Sequence, residues 1–271
     1  LAVVDASDAA LPRVVGKLHV ADRANSLTVS NGTAYVAAGA QGLRLVDVRE
    51  PSMPTAIGSI DTGWATDVVV SGTRAAVVGP RQLAILDVSD PAAPAVLGST
   101  ATSVALPADV SLQGELAYVV SRWLEDSPGL VLVDCRDPAA PRVAAELEWP
   151  FYSAAVRADM ALPAAIVLDA FAALHLVDVR DPAATREAHL VELAAPLRQR
   201  GPDPAAALDV ADGHVYAVTQ RLGLTVARTV AVPITPLPRG GMGPSYLSDA
   251  GTPGGSFRAW GFQPVWLQQA R

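Results

Sequence analysis

Five aspartates close apolar runs along the chain: Asp5 in "LAVVD", Asp47 in "LRLVD", Asp87 in "LAILD", Asp134 in "LVLVD" and Asp178 in "LHLVD". Recurring carboxylates supply a cation site or an acid–base pair only where a fold gathers them in one place. The neighbouring residues point elsewhere. Three residues after Asp47, Asp87, Asp134 and Asp178 comes another acid, followed at once by Pro51, Pro91, Pro138 or Pro182. Proline fixes φ for a turn, and an aspartate just upstream accepts the turn's free N–H groups. One mechanism thus accounts for all four of these copies, on a ring that never converges.

Asp67 and Asp109 differ, because each opens a short alternating strand and can face a central channel. The corresponding positions are Ser26, Ala155 and Ala207, so no carboxylate ring forms. Two solvated acids at a channel mouth are one reading, a bound cation or small molecule another. His19, His175, His189 and His214 share no metal-ligand spacing, and Cys135 lies in an apolar strand with no activating neighbour. No glycine-rich loop joins a strand to a helix, and no nucleophile elbow is present. "NGT" at Asn31 matches a glycosylation sequon and equally a tight hairpin turn. No catalytic residue, cofactor or metal is assigned.

The remaining chemistry is that of recognition. Trp64, Arg81, Arg122, Trp123, Glu125, Trp149, Phe151, Tyr152 and Arg221 all fall where the repeated pattern breaks. Tryptophan, tyrosine and arginine dominate interface hot spots because they bury large areas at low entropic cost. Aromatics in such loops also fold back to plug the scaffold beneath them. Both readings stand at this point, with residues 106–193 as the expected contact sector.

The elements positioning these loops come from the repeat. The five aspartates are spaced by 42, 40, 47 and 44 residues, and an eroded sixth copy, "RLGLTVARTV", begins at Arg221. A period near ~40–45 residues with several short strands per unit is that of a propeller blade. In the second unit, "TDVVVSG" reads as the inner strand, "TRAAVVG" as its hairpin partner, "QLAILDV" as a strand buried on both faces and "AVLGSTA" as the outer strand. Strands so short cannot bury their faces alone and must stack radially. The loops named above then share one face of the disc, and the Asp-Pro turns occupy the other.

The runs "LRLVDV", "LAILDV", "LVLVDC" and "LHLVDV", each followed by Asp/Glu-Pro, resemble the LVIVD-repeat family over roughly residues 1–230. The resemblance implies a β-propeller of the kind carried by secreted or cell-surface proteins, and so an extracytoplasmic (periplasmic or cell-surface) location, with no general catalytic residue to transfer. The expected fold is all-β: six four-stranded blades, the closing one shared by the two termini. The divisions are a half blade at 1–20, blades at 24–61, 65–101, 106–148, 152–193 and 205–235, a Gly/Pro-rich loop at 235–256 and closing strands at 257–271. The chain opens inside a repeat, so an upstream segment is expected. Its 271 residues are 51% apolar with a net charge of −7, and no basic cluster suits nucleic acid. No apolar run has the length of a membrane helix. The expected partner is therefore another protein or complex, membrane-bound or not, for which this chain is an accessory scaffold.

Overall fold

The computed structural model describes residues 1–122, 128–148, 153–158, 164–171, 173–181, 186–192, 206–211, 214–219, 223–230 and 261–264. It is a β-propeller of antiparallel four-stranded blades. The first blade holds β3 (Ser26–Ser30), β4 (Thr33–Ala37), β5 (Leu43–Asp47) and β6 (Thr55–Ile60). The second holds β7 (Asp67–Ser71), β8 (Arg74–Gly79), β9 (Gln82–Asp87) and β10 (Ala95–Ala101). The third is β11 (Pro107–Gln113), β12 (Leu116–Ser121), β13 (Leu130–Asp134) and β14 (Arg142–Leu147), and the fourth β15 (Ser153–Ala158), β16 (Ala164–Asp169), β17 (Ala173–Asp178) and β18 (Arg186–Glu192). The fifth is β19 (Ala206–Ala211), β20 (His214–Thr219), β21 (Gly223–Val230) and β22 (Gly261–Pro264), while β1 (Ala2–Asp5) and β2 (Arg13–Lys17) form a separate two-stranded sheet.

Local sequence explains each unit. Asn31 and Gly32 take φ of 49° and 73°, the mirror-image turn that matches the twist of a two-residue hairpin. At the third strand's end the aspartate folds the chain over: Asp47, Asp87, Asp134 and Asp178 accept the N–H of Arg49, Ser89, Arg136 and Arg180 at 2.9, 2.9, 3.0 and 3.1 Å. Asp90 and Asp137 then accept from Ala92 and Ala139, both at 3.0 Å, so the Asp-Pro segment is a doubly capped turn. The turn reading of these acids holds.

The core lies between blades. Leu43 and Leu45 meet Val68, Ala84 and Leu86 between the first and second, and Ile85 meets Val110, Val119, Val131 and Val133 between the second and third. The inner strands stack in order, β3 on β7, β7 on β11, β11 on β15 and β15 on β19. At the outer radius the same contact recurs. A Cβ at Gly58 would lie 2.3 Å from the Pro91 carbonyl of the next blade, and one at Gly98 2.6 Å from that of Pro138. Only glycine lets the neighbouring turn settle this closely. Gly16 of β2 meets the Pro51 carbonyl in the same way, and the β1–β2 pair carries the register shift seen in the outer pair of each of the first four blades. The N-terminal sheet is thus the outer half of a further unit stacked on the first blade.

The expected six-blade ring with a shared closing blade is corrected. The described residues make five complete blades, and β22 pairs with β21 instead of crossing to β1–β2. An open β21 edge would leave a row of unpaired backbone groups, and "GFQP" pairs with the Ala227–Val230 part of it as the fifth blade's outer strand. On the first blade, Leu27 and Val29 occupy the positions of the second blade's Val68 and Val70, yet they are 51% and 57% exposed.

Candidate functional site

The face opposite the Asp-Pro turns surrounds a cavity of about 630 Å³ at the channel mouth, to which all five blades contribute. Its floor is set by the first residues of the inner strands. Asp67 is buried and its carboxylate reaches into the next blade, accepting the N–H of Val110 at 2.9 Å, besides that of Val68 at 2.8 Å. Asp109 repeats the reach one blade on, accepting from Val156 at 2.9 Å and from the Arg157 guanidinium at 2.6 Å, besides Val110 at 3.0 Å. Burial pushes the Asp109 carboxyl up to about 7; Arg157 opposes the shift and the neighbouring Asp67 carboxylate adds to it. These acids are latches between adjacent blades and not a pair of solvated carboxylates. Among the described residues no group of three or more His, Cys, Asp or Glu is placed to hold a metal ion.

The rim is built from the loops. Asp61 accepts the N–H of Gly63 at 2.9 Å, and Gly63 takes φ of 71°, which turns Trp64 onto the mouth. The indole lies beside Gly39 and is 45% exposed, with the Arg23 guanidinium 5.9 Å from the ring centroid. Asn25 fixes this corner: its amide donates to the Ala65 carbonyl at 2.8 Å, and its oxygen accepts from Arg23 Nε at 3.0 Å. Leu106, 52% exposed, sits beside Arg122, whose backbone N–H donates to the Leu106 carbonyl at 2.8 Å.

Of the recognition residues read from the sequence, Trp64 and Arg122 line the cavity together. Arg81 belongs to the β8–β9 turn, where its backbone bonds to Val104 and Thr102 at 2.7 and 3.0 Å; it does not line the cavity. Trp123, Glu125, Trp149, Phe151, Tyr152 and Arg221 lie outside the described residues. Arg23, Asn25 and Leu106 were not legible as site residues. Arg23 and Asn25 precede an inner strand in the same class of connection as Trp64, which is the signal that marks them. His175 is elsewhere, wholly buried in the fourth blade with Nε2 3.1 Å from Asp169 Oδ2. Cys135 is buried, and burial pushes its thiol up to about 11, which suits an inert core residue.

The family model described as "LVIVD repeat" matches residues 21–62, 63–102 and 107–146. No curated protein matches the sequence. Among solved structures, a Lactobacillus plantarum protein is 11% identical with a TM-score of 0.65, covering 82% of this chain and 72% of its own. A functionally unknown protein from Desulfotomaculum acetoxidans is 9% identical at a TM-score of 0.63, covering 83% and 74%. A Bacteroides uniformis protein, described provisionally as a 6-phosphogluconolactonase, is 10% identical at 0.62 and covers 95% and 76%. Likeness at this level is one of fold.

Proposed function

Because the chain is a β-propeller of LVIVD repeats, we propose that it is a non-enzymatic protein-interaction scaffold that docks through the channel-mouth face. It acts as an accessory subunit of an extracytoplasmic or membrane-associated assembly. The difference between the two faces carries the reading. One face repeats the same capped turn, whose polar groups bond to one another. The other gathers Trp64, Leu106, Arg23 and Arg122 around a cavity, an exposed apolar and cationic mixture suited to a hot spot. The test is affinity capture from native membrane and soluble extracts, with mass spectrometry of what co-purifies. A stoichiometric partner is expected, lost with Trp64→Ala and Leu106→Ala and retained with Met53→Ala, an exposed residue on the opposite face. Capture that ignores both mouth substitutions would overturn the proposal.

The cavity itself supports a second reading, a cation or small-molecule site near Asp67 and Asp109, hydrolytic in the manner that the Bacteroides uniformis protein's description suggests. It ranks below the first because the acids already accept bonds from Val68, Val110, Val156 and Arg157. A rise in melting temperature with Ca²⁺ or a sugar lactone would favour it through binding linkage, and a flat response to both would remove it.

A further inference from the structure

We propose that the group received at the channel mouth is a carboxylate, carried by an acidic segment of the partner protein and held by Arg23 and Arg122. The inference rests on the mouth being the docking face.

Charge at the mouth runs against charge on the whole protein. The chain carries −7 overall, yet among the described residues three guanidiniums and two carboxylates line this cavity. Arg157 is consumed by Asp109 and by the Val156 carbonyl, both at 2.6 Å. Asp67 and Asp109 are consumed by the backbone N–H groups and Arg157, and burial keeps part of the Asp109 population neutral. What remains is the positive charge of Arg23 and Arg122, neither of which meets a carboxylate among the described residues. This contrasts with Arg13, Arg49, Arg136 and Arg180, which each pair with an aspartate of their own turn.

Arg23 is also placed for capture. Asn25 holds Arg23 through Nε, and Trp64 lies beside its guanidinium, so the side chain loses less freedom when it grips a ligand. A guanidinium is a planar fork of donors matched to a carboxylate. In a recess with Trp64 and Leu106 on its walls, such a pair is stronger than on open surface. A cation entering the same recess meets like charge from both arginines. The volume of about 630 Å³ suits one or two inserted side chains. Cationic donors beside exposed Trp64 and Leu106 favour an occupant in which Asp or Glu neighbours an apolar residue.

A fluorescein-labelled, end-blocked peptide of alternating Glu and Leu, and the same peptide with Gln for Glu, test this by anisotropy. The Glu peptide is expected to bind the wild-type protein and to weaken by about tenfold or more in R23Q/R122Q. It should weaken likewise against the Gln peptide and in about 0.5 M salt. Arg13→Gln, an exposed arginine of the N-terminal sheet, should leave binding unchanged. Both mouth arginines are exposed, and melting curves verify that the double variant is folded. Equal binding of the two peptides, no binding of either, or unchanged affinity in R23Q/R122Q would overturn the proposal. So would free citrate binding as tightly as the peptide, since the carboxylate would then belong to a small acid. The two readings fail separately. A captured partner indifferent to R23Q/R122Q sinks the carboxylate and leaves the docking face. An absent partner, with the Glu peptide still held by both arginines, sinks the docking face and upholds the carboxylate site.

Discussion

Asp67 and Asp109, on inner strands of adjacent blades, share a single donor: the N–H of Val110 lies 2.9 Å from one carboxylate and 3.0 Å from the other. The second acid then passes the same reach to Val156 at 2.9 Å. Side chains thus stitch three consecutive blades at the channel. The cost is that two carboxylates are held close together in a partly buried place.

That cost is readable as pH dependence. A carboxyl whose folded pKa is about 7, against 3.8 ordinarily, favours folding while protonated. Its contribution is therefore fully present below about pH 4 and is lost as pH rises through 7. Asp109→Asn keeps an acceptor for Val156 and removes the ionisation. Its melting temperature should not share the wild type's decline between pH 5 and pH 8; equal slopes in both proteins would refute the assignment.

The outer ring behaves in the opposite sense. The Arg49 and Arg136 side chains, with their backbone N–H groups, hold Asp47 and Asp134 down at about 2. Stability from these depressed carboxyls is present above about pH 4 and disappears as pH falls towards 2. Asp47→Asn with Asp134→Asn should flatten the acid limb of a chemical denaturation series over that window. Asp47 is half-buried and Asp134 buried, but their partners Arg49 and Arg136 are exposed, so the effect should be small and should shrink further in salt.

Packing of the Asp-Pro turn on the neighbouring glycine makes a sharper claim. At Gly58 a methyl group would meet the Pro91 carbonyl at 2.3 Å, a backbone atom fixed by its own turn. Gly58→Ala should cost about 1–3 kcal/mol by overpacking, measured by urea unfolding. Gly72, with nothing within 4 Å but φ of 60°, should lose only about 1–2 kcal/mol as Ala, from backbone strain. A neutral Gly58→Ala would mean that the blades do not approach as described.

Arg81 offers the converse case. It is an arginine at φ of 58°, a conformation that favours glycine. Its backbone bonds to Val104 and Thr102 do not need the side chain. Arg81→Gly should leave stability unchanged or raise it by up to about 1 kcal/mol, while Arg81→Val, β-branched, should lower it by more than about 1 kcal/mol. Thermal melts of the two variants, compared with wild type, decide the matter.

Most of the scaffold was legible because each blade repeats local rules. An apolar run, its closing aspartate and a proline turn recur, and the structure places Asp47, Asp87, Asp134 and Asp178 in the expected turns. The fate of β22 was not legible. Residues 231–260 separate it from β21, and the four residues "GFQP" carry too little alternation to reveal which edge they join. The site was only half readable. Trp64 and Arg122 stood out as departures from the repeat. The burial of Asp67 depends on Val110, 43 positions away, a distance at which no local pattern operates. Arg23 was hidden because its place before an inner strand is the one signal its own segment carries; it matters through Trp64, which another blade's loop delivers.

The glycines at positions 16, 58 and 98 have one consequence beyond stability. Where they stand, the seam at the outer radius joins backbone to backbone, so it is blind to nearly every side chain around it. Such a seam lets neighbouring units drift apart in sequence without losing their fit, so long as the glycine and the turn facing it survive. Blades on this plan are interchangeable parts: a copy that acquires a useful loop can be kept, and its neighbours need no matching change. A disc of this kind can hold one face constant while the other is free to vary.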